Sequence, residues 1–362
     1  MINEIIENRF ISNLTKQFRR SPLQLNRLHE SDAELLNIEP VSGQILAVTT
    51  DTIAEEIAVG LYTDPFLIGW MSVMVNLSDL AAVAATPLGI VISQVLPTEY
   101  PSESIELLQK GIEAACENCG TFVLGGDTNF GQTMTMTGCA IGTVDGCRLL
   151  TRRGCKPGDQ LYTTSLLGIG NIYAISAFAS SLSPGQCSKP SFDAGDYRPT
   201  ARLTEARCLA NFASACMDTS DGVLGTLDQL MRLNNVGFRI NADWQNALHP
   251  KADKFSKVLG IPNWLWLAGQ HGEFELLFTI LRNKEDQFLL ASEQIGWNPV
   301  RVGEVVSEPS IQIPIHGEQI GLDTARIRNL GNSFDGNIAS YINELMNIDR
   351  NIRKGALCHV TQ

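Results

Sequence analysis

Four short acidic signatures between residues 49 and 222 constrain this chain more than any other feature of its sequence. They read Thr49-Thr50-Asp51, Asn76-Leu77-Ser78-Asp79, Gly125-Gly126-Asp127-Thr128 and Asp218-Thr219-Ser220-Asp221-Gly222. Each signature places an aspartate beside small residues where an apolar run stops. A carboxylate at the end of a buried strand, or at the start of a helix, is held rigidly, and hard divalent cations need such fixed oxygen ligands. The pattern therefore predicts a site for metal-bound polyphosphate.

The overall charge limits the partners that such a site can serve. The chain has 362 residues, of which 44% are hydrophobic and 18% are charged, and its net charge is -12. This length predicts about two domains. The negative charge opposes broad binding to nucleic acid or to anionic lipid. Two interpretations of the negative charge remain open. Part of it could belong to a carboxylate site that a cation neutralises, or the charge as a whole could only keep the protein soluble.

The cysteines favour a reducing compartment. They are nine in number, which is odd, and we expect no secretory segment ahead of them. We therefore expect a cytoplasmic location. Cys116 and Cys119 have the spacing of a metal or redox pair, but no second pair lies nearby, so we expect both to be structural. No run of 18 apolar residues occurs in the sequence, and we expect no membrane span.

Hydrophobic periodicity predicts strands and helices that alternate in both halves of the chain. Predicted helices cover residues 3–20, 64–85, 102–117 and 218–230, and predicted strands cover residues 45–48, 90–96, 121–124, 133–137 and 160–164. We expect Gly120 to end the third helix as a left-handed cap, and Ser220 or Asp221 to cap the fourth.

The domain boundary is expected in the polar, turn-forming stretch at residues 151–159. This division predicts two α/β domains, residues 1–150 and residues 151–345, followed by a tail of residues 346–362. Residues 180–197 are rich in Ser, Pro and Gly and are expected to form an irregular loop that could order over a ligand.

The order of the signatures resembles that of the thiamine-monophosphate kinase family, which also contains a segment like Arg152-Arg153-Gly154-Cys155-Lys156-Pro157-Gly158-Asp159. That family belongs to the superfamily of aminoimidazole ribonucleotide synthetase, selenophosphate synthetase and a hydrogenase-maturation dehydratase. The resemblance covers residues 32–278. It implies an α/β fold of the α+β type with two domains. The N-terminal domain would bind ATP and Mg²⁺ and pair its sheet with that of a second copy in a homodimer.

The resemblance also implies roles for individual residues. The magnesium ligands would be Asp32, Thr49, Thr50, Asp51, Asp79, Asp127, Asp218 and Asp221. The nucleotide would contact Gly125, Gly126, Arg152 and Ser220, with Gly126 leaving room for phosphate oxygens and Ser220 donating a hydrogen bond. The catalytic residues would be Asp127, Asp221 and Arg152.

These roles suit phosphoryl transfer. The reaction spreads negative charge, so rigid placement and several cations lower its barrier without a covalent nucleophile on the protein. The planar fork of Arg152 can hold a phosphate through two hydrogen bonds. Taken singly, however, Ser220 and Asp221 are more readily explained as helix caps, and Arg152 or its neighbour Arg153 as a solvated turn residue.

The departures from the family lie on the acceptor side. The family's Gly-Asp-Asp segment becomes Leu28-His29-Glu30-Ser31-Asp32, its Gly-Gly-Glu-Asp-Tyr-Glu-Leu motif becomes Gln270-His271-Gly272-Glu273-Phe274-Glu275-Leu276, and its C-terminal aromatic segment becomes Ser333-Phe334-Asp335-Gly336-Asn337. A substrate-contacting histidine of the family falls at Ala58. His271 and Glu273 are therefore candidate substrate residues. His29 and His271 would act either as general bases or as local hydrogen-bonding groups.

Three functions follow from the sequence. The first is an ATP-dependent kinase with a small-molecule acceptor different from that of the family it resembles. The second is a cyclase or dehydratase, in which ATP phosphorylates an amide or carbonyl oxygen that then leaves. The third is an accessory protein that binds nucleotide without turnover. The fate of the transferred phosphoryl group separates the first two functions, and acceptor-stimulated turnover excludes the third.

Overall fold

The computed structural model describes residues 4–16, 18–39, 43–182, 197–315, 317–330 and 338–359. Most of the predicted loop at residues 180–197 and the whole of residues 333–337 lie outside the described residues. The described chain contains two β-sheets, each covered by helices, which confirms the two-domain α+β fold.

The first sheet has five strands in the order β1-β2-β5-β3-β4. Its elements are α1 (Ile6–Thr15), β1 (Glu34–Glu39), β2 (Gln44–Thr52), α2 (Ala54–Ala58), α3 (Pro65–Ala82), β3 (Thr86–Pro97), α4 (Ser102–Cys119), β4 (Val123–Gly131) and β5 (Thr135–Asp145). Three of its four strand pairs are antiparallel, and only β3 and β4 run parallel. Strand β4 is therefore an edge strand, with a neighbour on one side only.

Helix α3 forms the centre of the first domain. Asp64 caps its N-terminus by accepting hydrogen bonds from the backbone N–H groups of Phe66 (3.2 Å) and Leu67 (3.3 Å). Gly69 lets α4 approach closely, because a Cβ at this position would lie 2.0 Å from the carbonyl oxygen of Leu108. Helix α3 is long and apolar enough to cross a membrane by length and composition alone, but 83% of this stretch is buried inside the protein. It is packed as the core helix of a two-layer domain.

The second sheet has seven strands in the order β12-β11-β8-β10-β6-β9-β7. Its elements are β6 (Gln160–Thr163), α5 (Ile169–Leu182), α6 (Leu203–Leu209), β7 (Ala213–Asp218), α7 (Val223–Asn234), β8 (Gly237–Ile240), α8 (Lys251–Leu259), α9 (Leu265–Ala268), β9 (Leu276–Ile280), α10 (Glu285–Gln294), β10 (Val300–Val306), β11 (Ile311–Ile315), β12 (Glu318–Leu322), α11 (Thr324–Leu330) and α12 (Ile338–His359). The two domains meet where α3 lies beside β7.

The two chain ends pack on the second domain. Helix α1 is shorter than predicted, and Asn8 donates to the side chain of Gln229 at 3.1 Å. The expected tail from residue 346 was wrong, because α12 runs without a break across that position. Its Ile348 is buried, and Asp349 accepts a hydrogen bond from the indole of Trp264 at 2.9 Å. The apolar face of α12 completes the core of the second domain.

The structure confirms most predicted elements and corrects two local details. Gly120 ends α4 in the left-handed conformation, with φ 61°, as predicted. However, β4 extends to Gly131, so Gly125, Gly126 and Asp127 lie inside a strand and not in the turn after it. The N-cap residue of α7 is Gly222, with φ 78°, so the prediction of Ser220 or Asp221 as the cap was wrong. The sharp turn needs a positive φ, which glycine adopts without strain.

Candidate metal centre

Three aspartates from distant parts of the sequence meet at the junction of the two domains. One carboxylate oxygen from each of Asp32, Asp79 and Asp218 lies within 4.8 Å of the other two. Asp32 precedes β1, Asp79 lies on the last turns of α3, and Asp218 ends β7. Since α3 packs beside β7, the fold brings together residues that are up to 186 positions apart.

Hydroxyl groups hold these carboxylates in place. Thr49 on β2 donates to Asp79 at 2.5 Å. Ser78 on α3 donates to Asp218 at 2.7 Å, and Ser220 donates to the other oxygen of Asp218 at 2.8 Å. The bond between Ser78 and Asp218 also joins the two domains directly. The signatures Thr-Thr-Asp, Asn-Leu-Ser-Asp and Asp-Thr-Ser-Asp thus supply both the carboxylates and the donors that orient them.

The cluster is electrostatically strained when it holds no cation. Burial, together with the charges of Asp218 and Asp32, raises the pKa of Asp79 well above its usual value. Burial and the charge of Asp32 raise the pKa of Asp218 to about 7, although the hydroxyls of Ser78 and Ser220 favour its ionised form. Like charges at this separation cannot all ionise without a compensating cation.

Arg152 supplies part of that compensation. Its Nη2 lies 2.9 Å from the carboxylate of Asp32, whose side chain is fully buried. Burial by itself would lower the pKa of Arg152, but the ion pair with Asp32 raises it above its usual range. The predicted phosphate-binding arginine is therefore turned toward the carboxylates. Its neighbour Arg153 forms an ion pair with Glu30 at 2.7 Å.

The donor set fits a hard divalent cation. The second carboxylate oxygen of Asp32 is buried and has no hydrogen-bond partner among the described residues. The Nε atom of Arg152 is likewise buried and without a described partner. Buried polar atoms are normally satisfied, so the orphaned oxygen is chemically suited to accept a cation. Three carboxylates with hydroxyl support are the oxygen-rich surroundings that Mg²⁺ prefers.

Three other residues predicted as metal ligands do not belong to the cluster. Thr50 donates to the carbonyl of Gly138 at 2.8 Å, which ties it to the sheet. The backbone N–H of Asp51 donates to Asn76 at 3.0 Å. Asp221 lines a polar cavity of about 320 Å³, together with Glu7, Glu55, Glu56 and Arg328 among others. This cavity extends the acidic region away from the three-carboxylate cluster.

The glycine signature on β4 lies apart from the cluster. Asp127 is exposed on the edge strand and accepts a hydrogen bond from Asn129 at 2.7 Å. A Cβ at Gly126 would lie 2.0 Å from the carbonyl oxygen of Ile92 on β3, so the packing of β4 on β3 already requires glycine there, and the role of Gly126 beside phosphate stays a prediction. A Cβ at Gly125 would meet nothing within 4 Å. Gly126 is needed for strand pairing, and the open space is at Gly125.

The two predicted substrate residues have different surroundings. The ring of His271 lies among three tyrosines, with its centroid 5.4 Å from that of Tyr197 and 5.7 Å from that of Tyr62. Burial lowers the pKa of His271 to about 4, so the ring is neutral at pH 7 and a weak base. Glu273 is buried, and its carboxylate accepts from the backbone N–H of Gly170 at 3.2 Å, at the start of α5. His271 lines a cavity, whereas Glu273 supports the helix behind it.

Sequence reasoning missed several residues of this region. Glu7 on α1 and Arg328 on α11 face each other at 3.6 Å and line the same polar cavity as Asp221. Arg328 is also held by Asp228 at 3.0 Å. His29, at φ 67°, has a buried Nε2 without a described partner, and burial with the charge of Arg152 lowers its pKa. Glu7, Asp228 and Arg328 belong to no short motif, whereas His29 is a candidate general base in the sequence.

Known proteins share this arrangement of two domains. Residues 30–144 match the family described as AIR synthase related protein, N-terminal domain, and residues 156–316 match its C-terminal domain. Thiamine-monophosphate kinase of Methanospirillum hungatei is 31% identical over 274 residues, which are 75% of this chain and 87% of the relative. That of Salmonella typhimurium is 28% identical over 292 residues, which are 80% of this chain and 87% of the relative. The solved structure of AaThiL complexed with AMPPCP and TMP has a TM-score of 0.67 at 22% identity, covering 86% of this chain and 94% of that chain.

Proposed function

Because the chain belongs to the AIR synthase related protein family, we propose that it is an ATP- and magnesium-dependent phosphotransferase with a small-molecule acceptor. The observation that carries the proposal is the cluster of Asp32, Asp79 and Asp218 at the domain junction. It is supported by the similarity to thiamine-monophosphate kinases over most of their length. A structural relative has been solved with AMPPCP and TMP.

The proposed metal ligands are Asp32, Asp79 and Asp218, with Asp221 facing the adjoining polar cavity. Bound Mg²⁺ would neutralise the charge that spreads over the transferred phosphoryl group. Thr49, Ser78 and Ser220 hold the carboxylates in fixed directions, so the site is organised before the nucleotide arrives.

Arg152 and Asp221 are two of the proposed catalytic residues. Arg152 keeps the carboxylates close together when no cation is present, and its unsatisfied Nε is a free donor for a phosphate oxygen. Asp221 lines a cavity large enough to hold phosphate groups. Asp127 remains a proposed ligand or catalytic residue that acts from the exposed edge of the first sheet.

We propose a homodimer formed through β4. The strand presents an unpaired edge, and the apolar side chains on and beside it are exposed: Phe122 to 71%, Phe130 to 67% and Leu124 to 56%. An exposed apolar edge strand is a template for pairing with a second chain. Size-exclusion chromatography with light scattering should give a dimer for the native protein and a monomer for the double variant F122D/L124D. A monomeric native protein would exclude this interface.

The acceptor is proposed to differ from that of the relatives. The changed motif at residues 270–276 places His271, a neutral ring, at the wall of a cavity, and Ala58 stands where the family's substrate-contacting histidine was expected. Thiamine monophosphate is nevertheless the first acceptor to test, because the relatives are named after it.

We also propose a cytoplasmic location. All seven cysteines whose side chains are described are free, which supports it.

Phosphorus NMR tests the function directly. The protein is incubated with Mg²⁺ and ATP, with thiamine monophosphate or with a panel of phosphorylated and heterocyclic acceptors, beside an Asp79→Asn control. A new phosphoryl signal on an acceptor, absent with the control variant, is the expected result. Acceptor-dependent release of free phosphate would indicate cyclase or dehydratase chemistry instead. Nucleotide binding with neither signal would indicate an accessory protein.

A further inference from the structure

A second cavity adjoins the polar one and has a different character. Its volume is about 250 Å³, and it lies between α2, α5, α9 and α12. Its walls are mainly apolar and include Ile175, Phe178, Ile261 and Leu345. Glu55, Glu56 and Gln270 line both cavities. A molecule whose body fills the apolar cavity can therefore reach the cavity that contains Asp221.

Helix α12 forms one wall of this cavity. Tyr341, Ile342 and Leu345 form one wall, and they lie beyond residue 316, where the match to the family's C-terminal domain ends. Tyr341 is fixed by a hydrogen bond from its hydroxyl to the carbonyl of Ala268 at 3.4 Å. The shape of the cavity therefore depends on residues outside the family motifs.

The charged groups that line the cavity are all negative. Among its lining residues, all of which the structure describes, the carboxylates of Glu55 and Glu56 are the charged groups and no Lys or Arg occurs. His271 is neutral because burial lowers its pKa to about 4. One oxygen of Glu56, Oε2, is buried and has no hydrogen-bond partner among the described residues. Besides burial, the charges of Glu55, Asp51 and Asp221 raise the pKa of Glu56.

We propose that this cavity holds the organic part of the phosphoryl acceptor and that the acceptor presents a protonated amine to Glu56. The proposal rests on the phosphotransferase function proposed above. A cationic donor would satisfy the orphaned oxygen of Glu56 and offset the neighbouring negative charges. An apolar body would fill the space between α5 and α12. An anionic body would meet two carboxylates and no compensating cation.

The test uses three probes with the same phenyl body: 2-phenylethylamine, 2-phenylethanol and 3-phenylpropionate. Their dissociation constants are measured by ligand-observed NMR titration of the full-length protein. The amine should bind most tightly and the carboxylate should not bind. Glu56→Gln should weaken amine binding by about tenfold or more, since the negative charge that strengthens the hydrogen bond from the ammonium group is removed, and should affect the alcohol less. Glu117→Gln, on the exposed face of α4, is the matched control and should change nothing.

A second variant tests the location of the site. Ala174→Leu places extra bulk in the α5 wall and should weaken both the amine and the alcohol. Circular dichroism identifies a variant that fails to fold, and in that case Ile342→Phe fills the cavity from α12. Binding of Mg²⁺-AMPPCP is measured on the same samples. If native protein binds this nucleotide but binds the amine no better than the carboxylate, or if Glu56→Gln has no effect, the cavity proposal is wrong and the phosphotransferase remains. Failure to bind Mg²⁺-AMPPCP would instead contradict the phosphotransferase.

Discussion

Replacing Asp79 by asparagine should have opposite effects on stability with and without magnesium. The carboxylate oxygens of Asp32, Asp79 and Asp218 lie within 4.8 Å of one another. At an effective dielectric constant of about 20, each fully ionised pair at this distance repels by about 3 kcal/mol. Asparagine keeps an oxygen that can accept the hydrogen bond from Thr49 while it removes the charge.

The net gain in the metal-free protein is smaller than the sum of two repulsions. The raised pKa of Asp79 favours its neutral form, which relieves some of the repulsion, and Arg152 offsets some of the remainder. We expect Asp79→Asn to stabilise the metal-free protein by about 1–3 kcal/mol, and more at pH 8 than at pH 6. For a chain of this length this corresponds to a rise in Tm of about 1–2 °C per kcal/mol.

Thermal denaturation followed by circular dichroism, in EDTA and in excess Mg²⁺, measures both effects. Mg²⁺ should raise the Tm of the native protein and have little effect on Asp79→Asn, because binding to the folded state stabilises it only while the ligands are present. Asp243→Asn, at an exposed position in the second domain, is the control and should respond to Mg²⁺ like the native protein. An Asp79→Asn variant that is less stable in EDTA, or that gains as much from Mg²⁺ as the native protein, would refute the reasoning.

Three further predictions concern single contacts. Ser78→Ala removes the buried bond to Asp218 and should cost about 1–3 kcal/mol in urea denaturation, together with weaker Mg²⁺ binding; an unchanged affinity would show that this bond does not orient the carboxylate. Gly126→Ala should be strongly destabilising, because the Cβ meets the Ile92 carbonyl, whereas Gly125→Ala should be tolerated; equal Tm values for the two variants would contradict the strand-pairing role. Burial raises the pKa of Glu273 from 4.5 to about 8, so the folded protein holds a proton that the unfolded chain releases between these values. Stability should therefore fall as pH rises through this window, by at most about 1.4 kcal/mol per pH unit from this group; urea denaturation should show a shallower slope for Glu273→Gln, and an identical slope would contradict the assignment.

The predicted carboxylates and the core of the first domain follow closely from the sequence. Asp79 and Asp218 stand beside small residues at the ends of apolar runs, and an uncompensated charge there would be costly to bury. Helix α3 is recognisable from its apolar length and from Pro65 at its start. The family resemblance supplied Asp32, which no local pattern distinguishes from other aspartates in polar segments.

Other features depend on tertiary contacts that local patterns do not encode. Gly126 has the appearance of a turn glycine, but the backbone of β3 is what excludes a side chain there. The tail expected from residue 346 is part of a helix because Ile348 finds a partner surface on the second domain. Glu56 lies on a helix of five residues, and its proposed role depends on two cavities whose walls come from elements that are distant in the sequence.

We propose that Asp32, Asp79 and Asp218 form the metal centre of a phosphotransferase. This proposal is tested most directly by a crystal structure of the protein with Mn²⁺ and AMPPCP, measured at a wavelength where manganese scatters anomalously. We predict an anomalous peak coordinated by these three carboxylates and by oxygens of the nucleotide. A well-ordered nucleotide whose manganese lies elsewhere, with Arg152 still paired to Asp32 and the cluster without a peak, would contradict the account.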